Sequence, residues 1–143
     1  MQFCAKVRTL TNNGEIHIGD NVGISSASIR SKKRITIGNN VNIGADCLII
    51  DTDAHPHDYI RRRRTYWESV SGEIYEESIL SAPIVIEDDV WIGARYQILK
   101  GVHIGARSII AAGSVVVSDI PPGEIWGGNP ARFIKKIPKS INA

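Results

Sequence analysis

Two cysteines in 143 residues, Cys4 and Cys47, are too few for a disulfide framework. No apolar run is long enough to span a bilayer, and Met1 to Ala27 has no charged segment followed by an apolar one. Neither a membrane span nor a secretory leader is therefore expected, and the cytoplasm is the expected location. Charge of one sign is also scarce. Seventeen basic against fifteen acidic residues leave a net charge of +2, which does not argue for nucleic acid. Histidine is sparse too. Of the four, only His55 and His57 lie close together, and no third has the spacing that an open zinc site of converging histidines needs. No metal is expected.

What the chain has instead is a period. Isoleucine or valine recurs at every sixth position from Ile86 through Ile92, Ile98, Ile104 and Ile110 to Val116. The same spacing links Ile37, Ile43 and Ile49, and also Ile18 and Ile24. A period of six is neither the 3.6 of a helix nor a plain alternation, so the pattern predicts a coil of short strands. The residue after the aliphatic is often glycine (Gly19, Gly38, Gly44, Gly93, Gly105), expected at a crowded corner where φ can be positive. The residue four places on is mostly small or β-branched, as at Val22, Ser28, Val41, Cys47, Val90, Val102, Ser108 and Ser114. Cys47 in that column reads as a packed thiol.

Three such units make one triangular turn, and stacked turns bury a continuous column of Ile and Val. Residues 18–35, 37–54, 86–103 and 104–121 give about four coils in a single domain over 1–143, with a one-residue slip near Arg30 to Lys33. Gln2 to Thr9 or Glu15 to Ile18 can add an irregular strand. The period fails over 55–83, a long insertion rich in charge and aromatics that should project outward. In the C-terminal segment 121–143, Asn129 can cap and Pro130 can start a helix, so a short helix is expected over Ala131 to Ile137. The open ends and flat faces of a short solenoid argue for an oligomer.

Three segments, IGDNVGISSASI (18–29), ITIGNNVNIGADCLIIDTDAHP (35–56) and the stretch from Val85 to Arg132 containing VWIG and GGNPAR, resemble the hexapeptide-repeat acyltransferases. The likeness is to the branch containing galactoside, maltose and polysaccharide O-acetyltransferases. It implies an all-β, left-handed parallel β-helix, a homotrimer with sites in clefts between subunits, and acetyl-CoA as co-substrate. It places His55, in DAHP, on the general base of a direct transfer to a sugar hydroxyl, a role that suits an imidazole near neutral pH. It carries acetyl-CoA contacts onto Trp91, Ala94, Ala112, Val117, Ser118 and Lys135. Ser26 and Ser28, in ISSASI, lie where relatives carry an acceptor-side residue.

Several residues keep a second reading. Asp53 either points toward His55 or the acceptor, or makes local turn hydrogen bonds. Trp91 is either a cofactor contact or an outward residue at a subunit interface. His57 reads as scaffold, and His17 and His103 as solvated. Arg61 to Arg64 share their loop with Glu68, Glu73, Glu76 and Glu77, and a run this short pairs internally or stays solvated more often than it meets an anionic ligand. An N-acetyltransferase of an amino sugar, a drug-modifying acetyltransferase and a non-catalytic β-helix scaffold are the rival functions.

Overall fold

A computed structural model describes residues 4–64 and 79–139. The period-six units are strands, most of them two residues long, because six residues must hold both an extended segment and a corner. The first coil comprises β1 (Lys6–Thr9), β2 (Glu15–Ile18) and β3 (Gly23–Ile24). The second holds β4 (Ala27–Ser31), β5 (Arg34–Ile37) and β6 (Asn42–Ile43), and the third β7 (Cys47–Ile50), β8 (Ile84–Ile86) and β9 (Trp91–Ile92). The fourth holds β10 (Gln97–Ile98), β11 (His103–Ile104) and β12 (Ile109–Ile110). A fifth runs from β13 (Val115–Val116) through a bridge between Ile120 and Ile104 to β14 (Glu124–Gly128). The solenoid therefore has about five coils, one more than the repeat suggests, because β1 and β2 already pair with the second coil.

Each strand stacks on the one a full turn away, giving three sheets in the orders β1-β4-β7-β10-β13, β2-β5-β8-β11 and β3-β6-β9-β12-β14. All these pairings are parallel. The period-six aliphatics become vertical columns inside the prism. Ile29, Ile49, Ile98 and Val116 line one wall, Ile37, Ile86 and Ile104 the second, and Ile43, Ile92 and Ile110 the third. All ten are buried, at about 1.5–3 kcal/mol each relative to exposure.

The corners are as crowded as the sequence predicts, but their dihedrals differ from the expectation. The glycines that follow the aliphatics do not take positive φ. They sit where successive coils approach too closely for a side chain. A Cβ on Gly44 would lie 2.7 Å from the Gly93 carbonyl carbon, and one on Gly93 2.7 Å from the Ala112 nitrogen. Positive φ falls three residues after the aliphatic, along one edge at Asn21, Asn40, Asp89 and Arg107, with φ between 54° and 61°. The N–H groups of Asn40, Asp89 and Arg107 each donate to the coil before, to the carbonyls of Asp20, Asn39 and Asp88, all at 2.9 Å. Asparagine and aspartate tolerate the left-handed region better than most residues, which explains the NN and DD pairs at this edge.

The expected C-terminal helix is instead a strand. β15 (Ala131–Lys136) folds back antiparallel on β14 after a turn at Gly128 (φ 100°). Asn129-Pro130 carries helix-start chemistry, but β14 is the last strand of its sheet, and its open edge offers unpaired backbone groups that an antiparallel partner satisfies. No helix among the described residues is long and apolar enough to cross a membrane.

Candidate functional site

The insertion leaves and re-enters the solenoid at one corner. Asp51 is fully buried there and accepts hydrogen bonds from Ser31 Oγ (2.8 Å), Lys32 N (2.6 Å) and Lys33 N (2.9 Å). That grip holds the slip near Arg30 to Lys33. Beyond it, Thr52 and Ser81 form an antiparallel bridge, with Ser81 Oγ donating to Thr52 Oγ1 at 2.8 Å. Asp53 N donates to Leu80 O at 2.9 Å, closing the stem.

DAHP follows directly. Ala54 takes positive φ (65°), Pro56 is buried, and His55 and His57 on either side of it are exposed. A buried proline between two exposed histidines anchors the loop while leaving both rings outside. Among the described residues nothing hydrogen-bonds the His55 imidazole, so both its nitrogens are open to solvent or substrate.

Asp53 does not turn toward His55. Its Oδ1 lies 2.7 Å from Lys100 Nζ and its Oδ2 2.7 Å from His57 Nε2. Partial burial opposes ionisation of this carboxyl, but the hydrogen bonds from Lys100 and His57 outweigh it and hold the group below the usual aspartate value. Lys100 reaches it because Ile98 pairs with Ile49, which sets the corner after β10 beside the point where the insertion departs. Neither Lys100 nor this role for His57 is visible in the sequence pattern. The one available signal was a lysine at the corner that stacks on the break.

After Asp58 the chain is helical over 59–64, started by Asp58 Oδ1 accepting from Arg61 N at 2.8 Å. The arginine run is partly used internally. Arg62 Nη1 donates to Pro56 O (3.2 Å) and His57 O (3.0 Å), and the Arg63 guanidinium lies 5.4 Å from the Tyr59 ring centroid. Glu68, Glu73, Glu76 and Glu77 lie outside the described residues.

The expected cofactor residues fall into separate groups along the chain. Trp91 stands 57% exposed on β9, beside an open groove of about 400 Å³ lined by Gly23, Ile24, Ser25, Asn42 and Gly44. Ala94 and Ala112 share a corner on the next coils, where Gly113 N donates to Ala94 O at 2.9 Å. Val117 and Ser118 are exposed at a different corner, the one that stacks over Leu99 and Lys100. Lys135 is exposed on β15, paired with Ile125. Glycine and alanine backbones along Gly44, Gly93 and Ala112 make a smooth track that a thin amide chain can follow.

Ser26 and Ser28 line a shallow cleft with Lys6, Asp46 and Cys47, and Ser28 Oγ accepts from Arg30 Nε at 2.9 Å. No contact among the described residues joins either serine to His55. Cys47 is buried, with burial as the main cause pushing its thiol up, and Cys4 is exposed. His17 and His103 are exposed and each pairs with a carboxylate, Glu15 at 2.9 Å and Glu87 at 2.7 Å.

Two repeat families match the chain: bacterial transferase hexapeptide (six repeats) over residues 83–118, and hexapeptide repeat of succinyl-transferase over residues 34–50. A hexapeptide-repeat-containing acetyltransferase from Vibrio cholerae O1 biovar eltor, solved with acetyl coenzyme A, superposes with a TM-score of 0.74 at 34% identity. The match covers 96% of this chain and 73% of that one. Galactoside O-acetyltransferase of Escherichia coli K12 is 37% identical over 123 residues, 85% of this chain and 54% of that protein. A 2,3,4,5-tetrahydropyridine-2,6-dicarboxylate N-acetyltransferase of Clostridium perfringens SM101 is 56% identical over 55 residues, 38% of this chain and 23% of that protein. The chain spans about half the length of the galactoside O-acetyltransferase that it matches.

Proposed function

The chain belongs to the hexapeptide-repeat acetyltransferases, with the left-handed β-helix of that family, and from this premise we propose that it is an acetyl-CoA-dependent O-acetyltransferase acting on a carbohydrate hydroxyl. The observation that carries the reading is His55. It is an exposed imidazole with no hydrogen-bond partner among the described residues, held at the exit of the solenoid by buried Pro56. A base that must take a proton from an incoming hydroxyl needs that freedom.

Acetyl-CoA supplies an acyl carbon already activated by a thiolate leaving group. His55 accepts the hydroxyl proton as the acceptor oxygen bonds to that carbon. It then returns the proton to sulfur as the C–S bond breaks, so no acyl-enzyme is needed. Trp91, Ala94 and Ala112 border the track for the pantetheine arm, and Val117, Ser118 and Lys135 are the exposed residues assigned to the rest of the cofactor. These groups stand apart on one protomer, which supports a site completed between subunits of a homotrimer. Asp53, Ser26 and Ser28 are assigned to the acceptor side, Asp53 acting through His57 and not by contact with His55.

The test is CoA thiol release with methyl β-galactoside as acceptor. His55→Ala should abolish turnover while leaving acetyl-CoA binding intact; unchanged turnover rules out His55 as the base. A second reading is N-acetylation, favoured by the short likeness to an N-acetyltransferase, with an amino sugar as the acceptor class to test. Glucosamine separates the two, because an ester product is cleaved by mild hydroxylamine and an amide product is not.

A further inference from the structure

His57 is fixed to a degree that an exposed scaffold histidine does not require. Its side chain is 68% exposed, yet its ring is tied to Asp53 at 2.7 Å and its backbone carbonyl accepts from Arg62 Nη1 at 3.0 Å. Asp53 is fixed in turn. Its second oxygen lies 2.7 Å from Lys100 Nζ, its N–H donates to Leu80 O, and Lys100 comes from the next coil of the solenoid. The ordering entropy of a long lysine and a surface imidazole is thus spent on one ring orientation.

That orientation has a chemical consequence. The Asp53 carboxyl is held in its ionised form, with hydrogen bonds from Lys100 and His57 outweighing the opposing effect of burial. An ionised carboxylate can only accept, so His57 Nε2 must carry a hydrogen. In the neutral ring the lone pair then sits on Nδ1, which no described residue contacts. The result is an acceptor atom with no partner among the described residues, on a largely exposed ring two residues from His55 and on the same loop. A carboxylate that fixes an imidazole tautomer is a general positioning device.

The geometry points to His57 as a hydroxyl-binding residue of the acceptor site. Its Nδ1 accepts a hydrogen bond from a second hydroxyl of a polyol acceptor, and Asp53 and Lys100 are the positioning residues behind it. This assignment rests on the carbohydrate O-acetyltransferase reading. It adds that the acceptor presents two neighbouring hydroxyls, one deprotonated at His55 and one held at His57. No proton moves through His57; it binds and orients.

Two substitutions divide the ring's functions. His57→Asn keeps an acceptor near the Nδ1 position and gives up the donor to Asp53, whereas His57→Gln keeps a donor toward Asp53 and loses the Nδ1 acceptor. With methyl β-galactoside at saturating acetyl-CoA, His57→Gln and His57→Ala should raise the acceptor KM about tenfold, near the loss of one hydrogen bond. His57→Asn should stay within about threefold by the same measure, and the KM for acetyl-CoA should not move in any of them. Lys100→Met should raise the acceptor KM with little change in kcat. A wild-type acceptor KM in His57→Ala overturns the assignment, and so does equal damage in the Asn and Gln variants.

A second readout needs no acceptor. Long-range 1H–15N correlation spectra of the imidazoles should give the Nε2–H tautomer for His57, lost to a mixture in Asp53→Ala. An Nδ1–H tautomer in the wild type, or no change in Asp53→Ala, overturns the relay. If His55→Ala is inactive while His57→Ala is normal, the inference fails and the function stands. If the wild type turns over no sugar hydroxyl, the function reading fails and takes the hydroxyl-binding role with it, while the spectra still decide the relay.

Discussion

Ser31 and Asp51 meet across one coil with neither exposed to solvent, the hydroxyl donating to Oδ2 at 2.8 Å. The same carboxylate accepts from the backbone of Lys32 and Lys33, so one side chain closes the corner below the insertion. Asp51→Ala removes all three acceptor contacts without removing the donors. The expected loss is about 3 kcal/mol in urea unfolding, since hydrogen bonds to a charged group contribute about 1.5–3 kcal/mol each and do not add. Asp51→Asn keeps one carbonyl acceptor and should lose less. If Asp51→Ala unfolds at the wild-type midpoint, the corner does not depend on this carboxylate.

How far such features were legible follows from where their partners lie. The walls were readable because Ile86 to Val116 repeat within a short stretch, and each residue announces the next. The grip of Asp51 on residues about twenty positions earlier, and the reach of Lys100 to Asp53, exist only through the register of stacked coils. The sequence marks Asp53 but leaves its direction open, and it gives His57 no role beyond scaffold. Asn129-Pro130 departs from its sequence expectation for the opposite reason. Its local signals were real, but the open edge of β14 decided the outcome.

Tyr96 breaks the small-residue column of the repeat. It lies between Cys47 and Ser114 inside the prism, and its buried hydroxyl makes no hydrogen bond of ordinary geometry, with the weakly bonding Cys47 thiol beside it. Burial pushes its phenol well above the usual range. Tyr96→Phe keeps the ring and removes a buried unsatisfied group, so it should raise stability by about 1 kcal/mol, visible as a higher Tm. Tyr96→Ala leaves a void in the lumen and should cost about 3–5 kcal/mol. A lower Tm for Tyr96→Phe would mean that the hydroxyl is satisfied in solution.

Glu87 ties two coils together. The hydrogen bond from His103 at 2.7 Å, and then that from Ala106 N at 2.7 Å, hold its carboxyl below the usual value of 4.5. Asp53 is lowered as well: burial would raise it, but Lys100 and His57 outweigh that effect. A carboxyl depressed in the folded state adds stability above its unfolded pKa and loses it as pH falls through the lower folded value. The urea midpoint should therefore be level at neutral pH and fall progressively as pH drops below about 4.5. Glu87→Gln should have a lower midpoint at pH 7 and a shallower acid decline. Parallel profiles for wild type and variant would remove Glu87 from the linkage.

The last prediction separates two kinds of glycine. Gly93 has an ordinary φ, but an added Cβ would stand 2.7 Å from the backbone nitrogen of Ala112. Gly113, at the same corner one coil on, has φ +75° and nothing within 4 Å of the Cβ position. Gly93→Ala must push two coils apart, and the coils are rigid stacked backbone, so its cost should reach or exceed about 3 kcal/mol, the upper end for overpacking. Gly113→Ala strains only its own dihedral and should cost about 1–2 kcal/mol. Gly93 also lies on the track assigned to the pantetheine arm, so Gly93→Ala should weaken acetyl-CoA binding in calorimetry even where the fold survives. Gly113→Ala should bind normally. Equal losses of stability in the two variants would mean that the corners tolerate spreading, and that close approach is not what keeps Gly93 a glycine.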